Sequence, residues 1–85
     1  MNIYVGNLDY KVEENDLREV FEEYGSISSL KIIMDKYSGR SKGFGFVTME
    51  NESEANHAIE KLNGATYENR TMAVNEARPK KENSN

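Results

Sequence analysis

Lys42-Gly43-Phe44-Gly45-Phe46-Val47-Thr48-Met49 is the stretch on which the reading of this chain turns. It is β-branched, aromatic and glycine-containing, and it predicts a strand over Gly43–Met49. Side chains alternate between the two faces of a strand. Gly45, Val47 and Met49 therefore face one way, and Phe44, Phe46 and Thr48 the other. Val47 and Met49 suit a covered face, which leaves two large rings on the uncovered one. Neighbouring exposed rings form an apolar patch, and such patches mark binding surfaces. Asn2–Gly6 repeats the pattern, with Ile3 and Val5 on one side and Tyr4 on the other. If these two strands are neighbours, Tyr4, Phe44 and Phe46 form a single aromatic platform.

The rest of the chain supplies a cover for the other face. From Glu14 the apolar residues fall at Leu17, Val20, Phe21 and Tyr24, one stripe of a helix. Glu13 is a poor start for it, and Gly25 stands where a left-handed C-terminal cap belongs. Ile27–Met34 predicts a second strand, with Leu30 and Ile32 on one face and Lys31 and Ile33 on the other. A polar loop follows over Asp35–Lys42. Asn51 with Glu54 is a capping pair for a second helix, whose stripe is Ala55, Ala58, Ile59 and Leu62 and which Asn63-Gly64 ends. Thr71–Glu76 is the last expected strand, with Met72 and Val74 inward. The order β-α-β-β-α-β predicts an α+β, ferredoxin-like sandwich: a four-stranded antiparallel sheet with both helices on one face. The expected domain is 1–78, followed by a polar tail over 79–85.

Composition narrows the function. An 85-residue chain without cysteine has no disulfide, no thiolate metal site and no cysteine nucleophile. Neither a signal peptide nor a membrane-length apolar run is read, so a cytoplasmic protein is expected. The net charge of −4 argues at first against a polyanionic partner. Its distribution weakens that objection, because Glu13–Tyr24 carries −5, Glu50–Lys61 carries −3 and the remainder carries +4. The acid lies in the two helical segments. A local basic patch on the opposite face, not net charge, sets the attraction for phosphate.

With both aromatic runs in view, the chain resembles the RNA-recognition motif family. Lys42–Met49 matches seven of the eight positions of that family's octamer signature. The departure is Met49, which stands where the signature has Phe or Tyr and which parity turns inward. Ile3-Tyr4-Val5-Gly6-Asn7-Leu8 resembles the family's hexamer signature, and the spacing between the two fits. The likeness extends over 2–78 and is nearest to compact single-motif bacterial RNA-binding proteins and the motif of plant glycine-rich RNA-binding proteins. It implies single-stranded RNA binding without catalysis or cofactor, in RNA metabolism, chaperoning or regulation. Tyr4 and Phe44 would stack on successive bases, Phe46 would pack on ribose, and Lys42 would meet a phosphate. Lys31, Asn75 and the backbone of Ala77 and Arg78 would reach base edges, with weaker phosphate contacts from Arg40, Lys80 and Lys81. Single-stranded DNA is a second ligand such rings accept. The chain is expected to be a monomer, with weak self-association through the open face.

Two rival functions are weighed against this one. A protein-interaction module would use the same rings or the helices to hold a peptide. An acylphosphatase-like hydrolase would need an arginine in the loop after the first strand, and Asn7-Leu8-Asp9-Tyr10-Lys11 has none. His57 falls off the apolar stripe of its helix and reads as solvated, not as a ligand or base. Glu13, Glu14 and Asp16 open a helix, where negative charge is favourable, and need no further role.

Overall fold

The structure, a computed structural model, describes residues 1–77. The expectations for Arg78, Lys80, Lys81 and the 79–85 tail lie outside the described residues. Eight elements follow one another: β1 (Asn2–Gly6), α1 (Glu14–Glu22), β2 (Ser29–Met34), β3 (Ser41–Thr48), α2 (Glu52–Leu62), β4 (Thr66–Tyr67), β5 (Arg70–Thr71) and β6 (Ala73–Glu76). The main sheet has the order β2-β3-β1-β6, with every neighbour antiparallel. This is the α+β ferredoxin-like fold, and the two aromatic strands are its central pair.

Burial follows strand parity. Ile3, Val5, Val47, Met49 and Val74 point to one side and are fully buried. Leu17 and Phe21 from α1 join them in one core with Ala55, Ala58 and Leu62 from α2, so both helices cover the same face. Each large side chain buried this way contributes about 1.5–3 kcal/mol relative to exposure. Met49 has no exposed surface, so the departure in the octamer is a core substitution. Gly45 faces this side as well, and its lack of a side chain sets the spacing of β2 and β3. A Cβ there would stand 3.0 Å from the Ile32 Cα and nearer still to the Lys31 carbonyl oxygen.

Several local expectations are corrected. β2 begins at Ser29, not Ile27, and β3 takes in Ser41 and Lys42, which the sequence placed in the loop. Gly25 is not a left-handed cap. The helix ends at Glu22 with Glu23 as its cap, and Gly25 has φ 159, close to extended. What Gly25 provides is room, since a Cβ would come within 2.7 Å of the Glu54 Cβ. That close approach lets the Glu54 carboxylate accept the Ser26 N–H at 3.2 Å. Glu54 consequently serves the α1–β2 link and does not reach back to Asn51. Asn51 still caps α2, its Oδ1 accepting the Glu54 N–H at 2.9 Å. The start of α1 is compensated by Asp16, whose carboxylate accepts the Glu13 N–H at 2.9 Å.

The last expected strand, Thr71–Glu76, is two elements. Thr71 belongs to a β4–β5 hairpin, and only Ala73–Glu76 joins the main sheet. The hairpin turns on Glu68 and Asn69, both at positive φ (52° and 67°), as a two-residue loop between right-twisted strands requires. The sequence lacks the usual Asn-Gly signal there. Met72 and Val74 are buried as expected. No helix among the described residues is long and apolar enough to cross a membrane.

Candidate nucleic-acid interface

The face of the sheet away from the helices is organised as a row. Antiparallel register sets Lys31 opposite Phe46, Phe46 opposite Tyr4, and Tyr4 opposite Asn75. Four side chains from four strands thus stand abreast, a cation at one end and an amide at the other. Phe44 lies two residues along β3 from Phe46 on the same face. The three rings touch one another: Tyr4 and Phe44 have centroids 5.9 Å apart and tilted by 35°, Tyr4 and Phe46 are 5.9 Å apart at 61°, and Phe44 and Phe46 are 6.1 Å apart at 89°. Tilted and edge contacts of this kind stabilise ring clusters and leave faces free. Phe46 is 37% exposed, and Tyr4 and Phe44 are half-buried.

Gly6 explains how Tyr4 can lie along the sheet. A Cβ at Gly6 would stand 2.6 Å from the Tyr4 Cζ, so the ring occupies the space a side chain would fill. Thr48 and Asn2 extend the row structure, the Thr48 hydroxyl donating to the Asn2 Oδ1 at 2.7 Å. Asn75 is exposed. The Ala77 N–H is engaged, donating to the Asn2 carbonyl at 2.9 Å. Ala77 therefore has its carbonyl oxygen, not its N–H, to offer a base edge.

Charge separates across the sheet as the sequence suggested. The outward residues of the four strands include Lys31 and Lys42, both exposed, and no acid among the described residues. On the other side, burial pushes the Tyr67 hydroxyl above its ordinary pKa, and Asp16, Glu68 and Glu19 push it further. The helical acids thus act on the covered side of the molecule. His57 is exposed and meets the Tyr24 ring edge-on at 5.4 Å.

Arg40 lies outside the row. It sits at the end of the sheet, beyond the turn that joins β2 to β3. That turn is well knit: the Asp35 carboxylate accepts the N–H groups of Tyr37 at 2.7 Å and Ser38 at 3.3 Å, and the Asp35 carbonyl accepts the Gly39 N–H at 2.8 Å. These two N–H groups, Tyr37's first, hold the Asp35 carboxyl below the usual carboxylate range, and Lys42 adds to the effect. Tyr37 is 94% exposed at its tip. Another ring near the platform escaped the sequence reading, that of Tyr10. It lies beside Gly43 and shares a cleft with Lys42 and Phe44. The signal was Gly43 itself, an inward position with no side chain to cover the strand end.

A sheet sealed on one face and carrying three touching rings, two lysines and an amide on the other defines a binding module for flat unsaturated groups beside negative charge. The RNA recognition motif profile matches residues 3–73, and the chain belongs to that family. It is 48% identical over 82 residues to RbpE of Nostoc sp., a relative named for RNA binding, covering 96% of this chain and 83% of the relative. Its fold is similar to the crystal structure of RNA-binding protein PG1, with a TM-score of 0.91 and 48% identity over 96% of this chain and 99% of that one. It is also similar to Sxl-lethal protein in complex with RNA, with a TM-score of 0.89 and 33% identity over 95% of this chain and 48% of that one.

Proposed function

We propose that this protein binds single-stranded RNA across the open face of its sheet and catalyses no reaction. The observation that carries the proposal is the ring cluster of Tyr4, Phe44 and Phe46, of which Phe46 and Tyr4 stand in register between Lys31 and Asn75. Unpaired bases are flat π surfaces, and aromatic rings stack on them whatever the sequence, at about 1–3 kcal/mol per base. Tyr4 and Phe44 take two successive bases, Phe46 packs on ribose, and Lys42 meets a phosphate. Lys31, Asn75 and the Ala77 carbonyl read base edges, and Arg40 adds a phosphate contact from the end of the sheet. The assignment of Arg78 to base edges, and of 1–78 as the RNA-binding unit with a short polar tail, is part of the same proposal.

Membership of the RNA recognition motif family and the likeness to an RNA-bound protein support this reading. The protein acts as a monomer, with weak pairing of open faces at high concentration, and works in the cytoplasm in RNA metabolism or chaperoning. Single-stranded DNA binds by the same stacking. The test is fluorescence anisotropy with labelled random single-stranded RNA against Tyr4→Ala and Phe44→Ala. Loss of affinity in folded variants is expected. Undiminished RNA binding would overturn the stacking assignment and favour a protein-interaction module.

A further inference from the structure

A second row of side chains stands beside the rings on the open face, and it is polar. Ser29 pairs with Thr48 and Thr48 with Asn2, so residues of β2, β3 and β1 stand abreast. Each lies two residues along its strand from Lys31, Phe46 or Tyr4, and parity puts it on the same face. That separation is about 7 Å, within reach of a nucleotide lying on the ring row. None of the three carries a charge. The row can therefore distinguish bases by their hydrogen-bonding edges but adds nothing to the attraction for phosphate.

Two of the three hold each other. The Thr48 hydroxyl donates to the Asn2 Oδ1 at 2.7 Å. The backbone beneath is fixed as well, because the Ser28 N–H donates to the Thr48 carbonyl and the Ala77 N–H to the Asn2 carbonyl, each at 2.9 Å. The side-chain bond sets the direction of the amide. It turns Oδ1 toward Thr48, and the NH2 group of the exposed Asn2 side chain points away. It also uses the one proton of the Thr48 hydroxyl, whose oxygen is left with lone pairs. The pair thus presents a donor and, beside it, an acceptor. That order is set before a ligand arrives, so little side-chain freedom is lost on binding.

Uracil and guanine carry an exocyclic carbonyl next to a ring N–H. Cytosine and adenine reverse the order, with an exocyclic amino group next to a bare ring nitrogen. We propose that Asn2 and Thr48 select the keto bases, uracil and guanine, at the nucleotide whose sugar packs on Phe46. The longer Asn2 side chain donates from its NH2 group to the outlying carbonyl, and the shorter Thr48 accepts from the ring N–H. Cytosine in the same place would set amino against amino and lone pair against lone pair, and unmatched polar groups of this kind are costly. The inference rests on the open face being an RNA platform and adds base selection to it.

Labelled octamers of uridine and of cytidine test it by anisotropy, since the two bases have the same ring size and differ in this edge. The parent is expected to bind the uridine octamer about 3- to 10-fold more tightly. Asn2→Ala removes the donor, and Thr48→Val removes the hydroxyl while keeping a β-branched strand residue. Each should weaken uridine binding until the two affinities meet, whereas Thr48→Ser keeps the hydroxyl and should keep the preference. A parent that binds both octamers alike, or prefers cytidine, overturns the proposal. So does a uridine preference that survives both Asn2→Ala and Thr48→Val, which would place base selection elsewhere on the sheet. An equal loss on both octamers would mean that the pair only supports the strands, and would overturn it too. In each of these cases Phe44→Ala still weakens binding if the platform is real. Undiminished binding by Phe44→Ala would instead remove the platform and the selection together.

Discussion

The two faces of β3 are made by one eight-residue strand and have opposite fates. Gly45 and Val47 point into the core, where Val47 has no exposed surface. Phe44 and Phe46 point outward, and Phe46 retains 37% exposure despite carrying the larger apolar side chain. Size and hydropathy therefore do not decide which side chain is buried here. The deciding factor is where the helices lie, because α1 and α2 both pack on the Val47 side. One face spends its apolar surface on stability, and the other keeps it available for a ligand.

That contrast can be tested by substitution, beginning on the covered side. Phe21→Ala removes a fully buried ring that meets the inward residues of the sheet, and should cost about 3–5 kcal/mol of stability. Urea unfolding reads this loss, while RNA affinity per folded molecule is expected to stay at the parent value. Phe44→Ala should do the reverse. RNA affinity falls by about 1–3 kcal/mol, and the urea midpoint moves far less than for Phe21→Ala. Equal stability losses in the two variants would erase the distinction between the faces.

A smaller effect concerns charge. Lys42→Gln removes one of the outward lysines, and the slope of log affinity against log salt should become shallower by about 0.7. An unchanged slope would mean that Lys42 meets no phosphate. The smallest effect is at the turn beyond the platform. Asp35 is half-buried, and its folded pKa lies below the ordinary value because its carboxylate accepts the Tyr37 and Ser38 N–H groups. A group depressed in this way contributes its stability above the ordinary carboxylate pKa and loses it as pH falls through the folded value. Amide exchange at Tyr37 and Ser38, corrected for the intrinsic effect of pH, should therefore become less protected only in that acidic window. Protection lost already near neutral pH would contradict the assignment.

Much of this was legible in the chain itself. The alternation of Lys42–Met49 assigned each residue to its face, since strand parity is a covalent property of extended backbone. It also identified Met49 as inward, and Met49 is fully buried. The helical stripes identified Leu17, Phe21, Ala55, Ala58 and Leu62 as core by the same kind of argument. Local reasoning failed where a residue answers to a distant partner. Gly25 was read as a cap because helix ends often carry one, but its role is to admit Glu54 from the other helix. The β4–β5 hairpin was missed because Glu68 and Asn69 adopt positive φ without a glycine between them.

The sequence by itself determined the order of the two helices and the four strands of the main sheet, the face of each residue of the aromatic strands and the three rings, because periodicity is local and repeats along the backbone. Only the tertiary structure decided that Lys31, Phe46, Tyr4 and Asn75 stand in one row, and that Tyr10 comes to lie over Gly43. Both depend on which strands pair and in what register, and that is fixed by burying the two helical stripes against one face of the sheet.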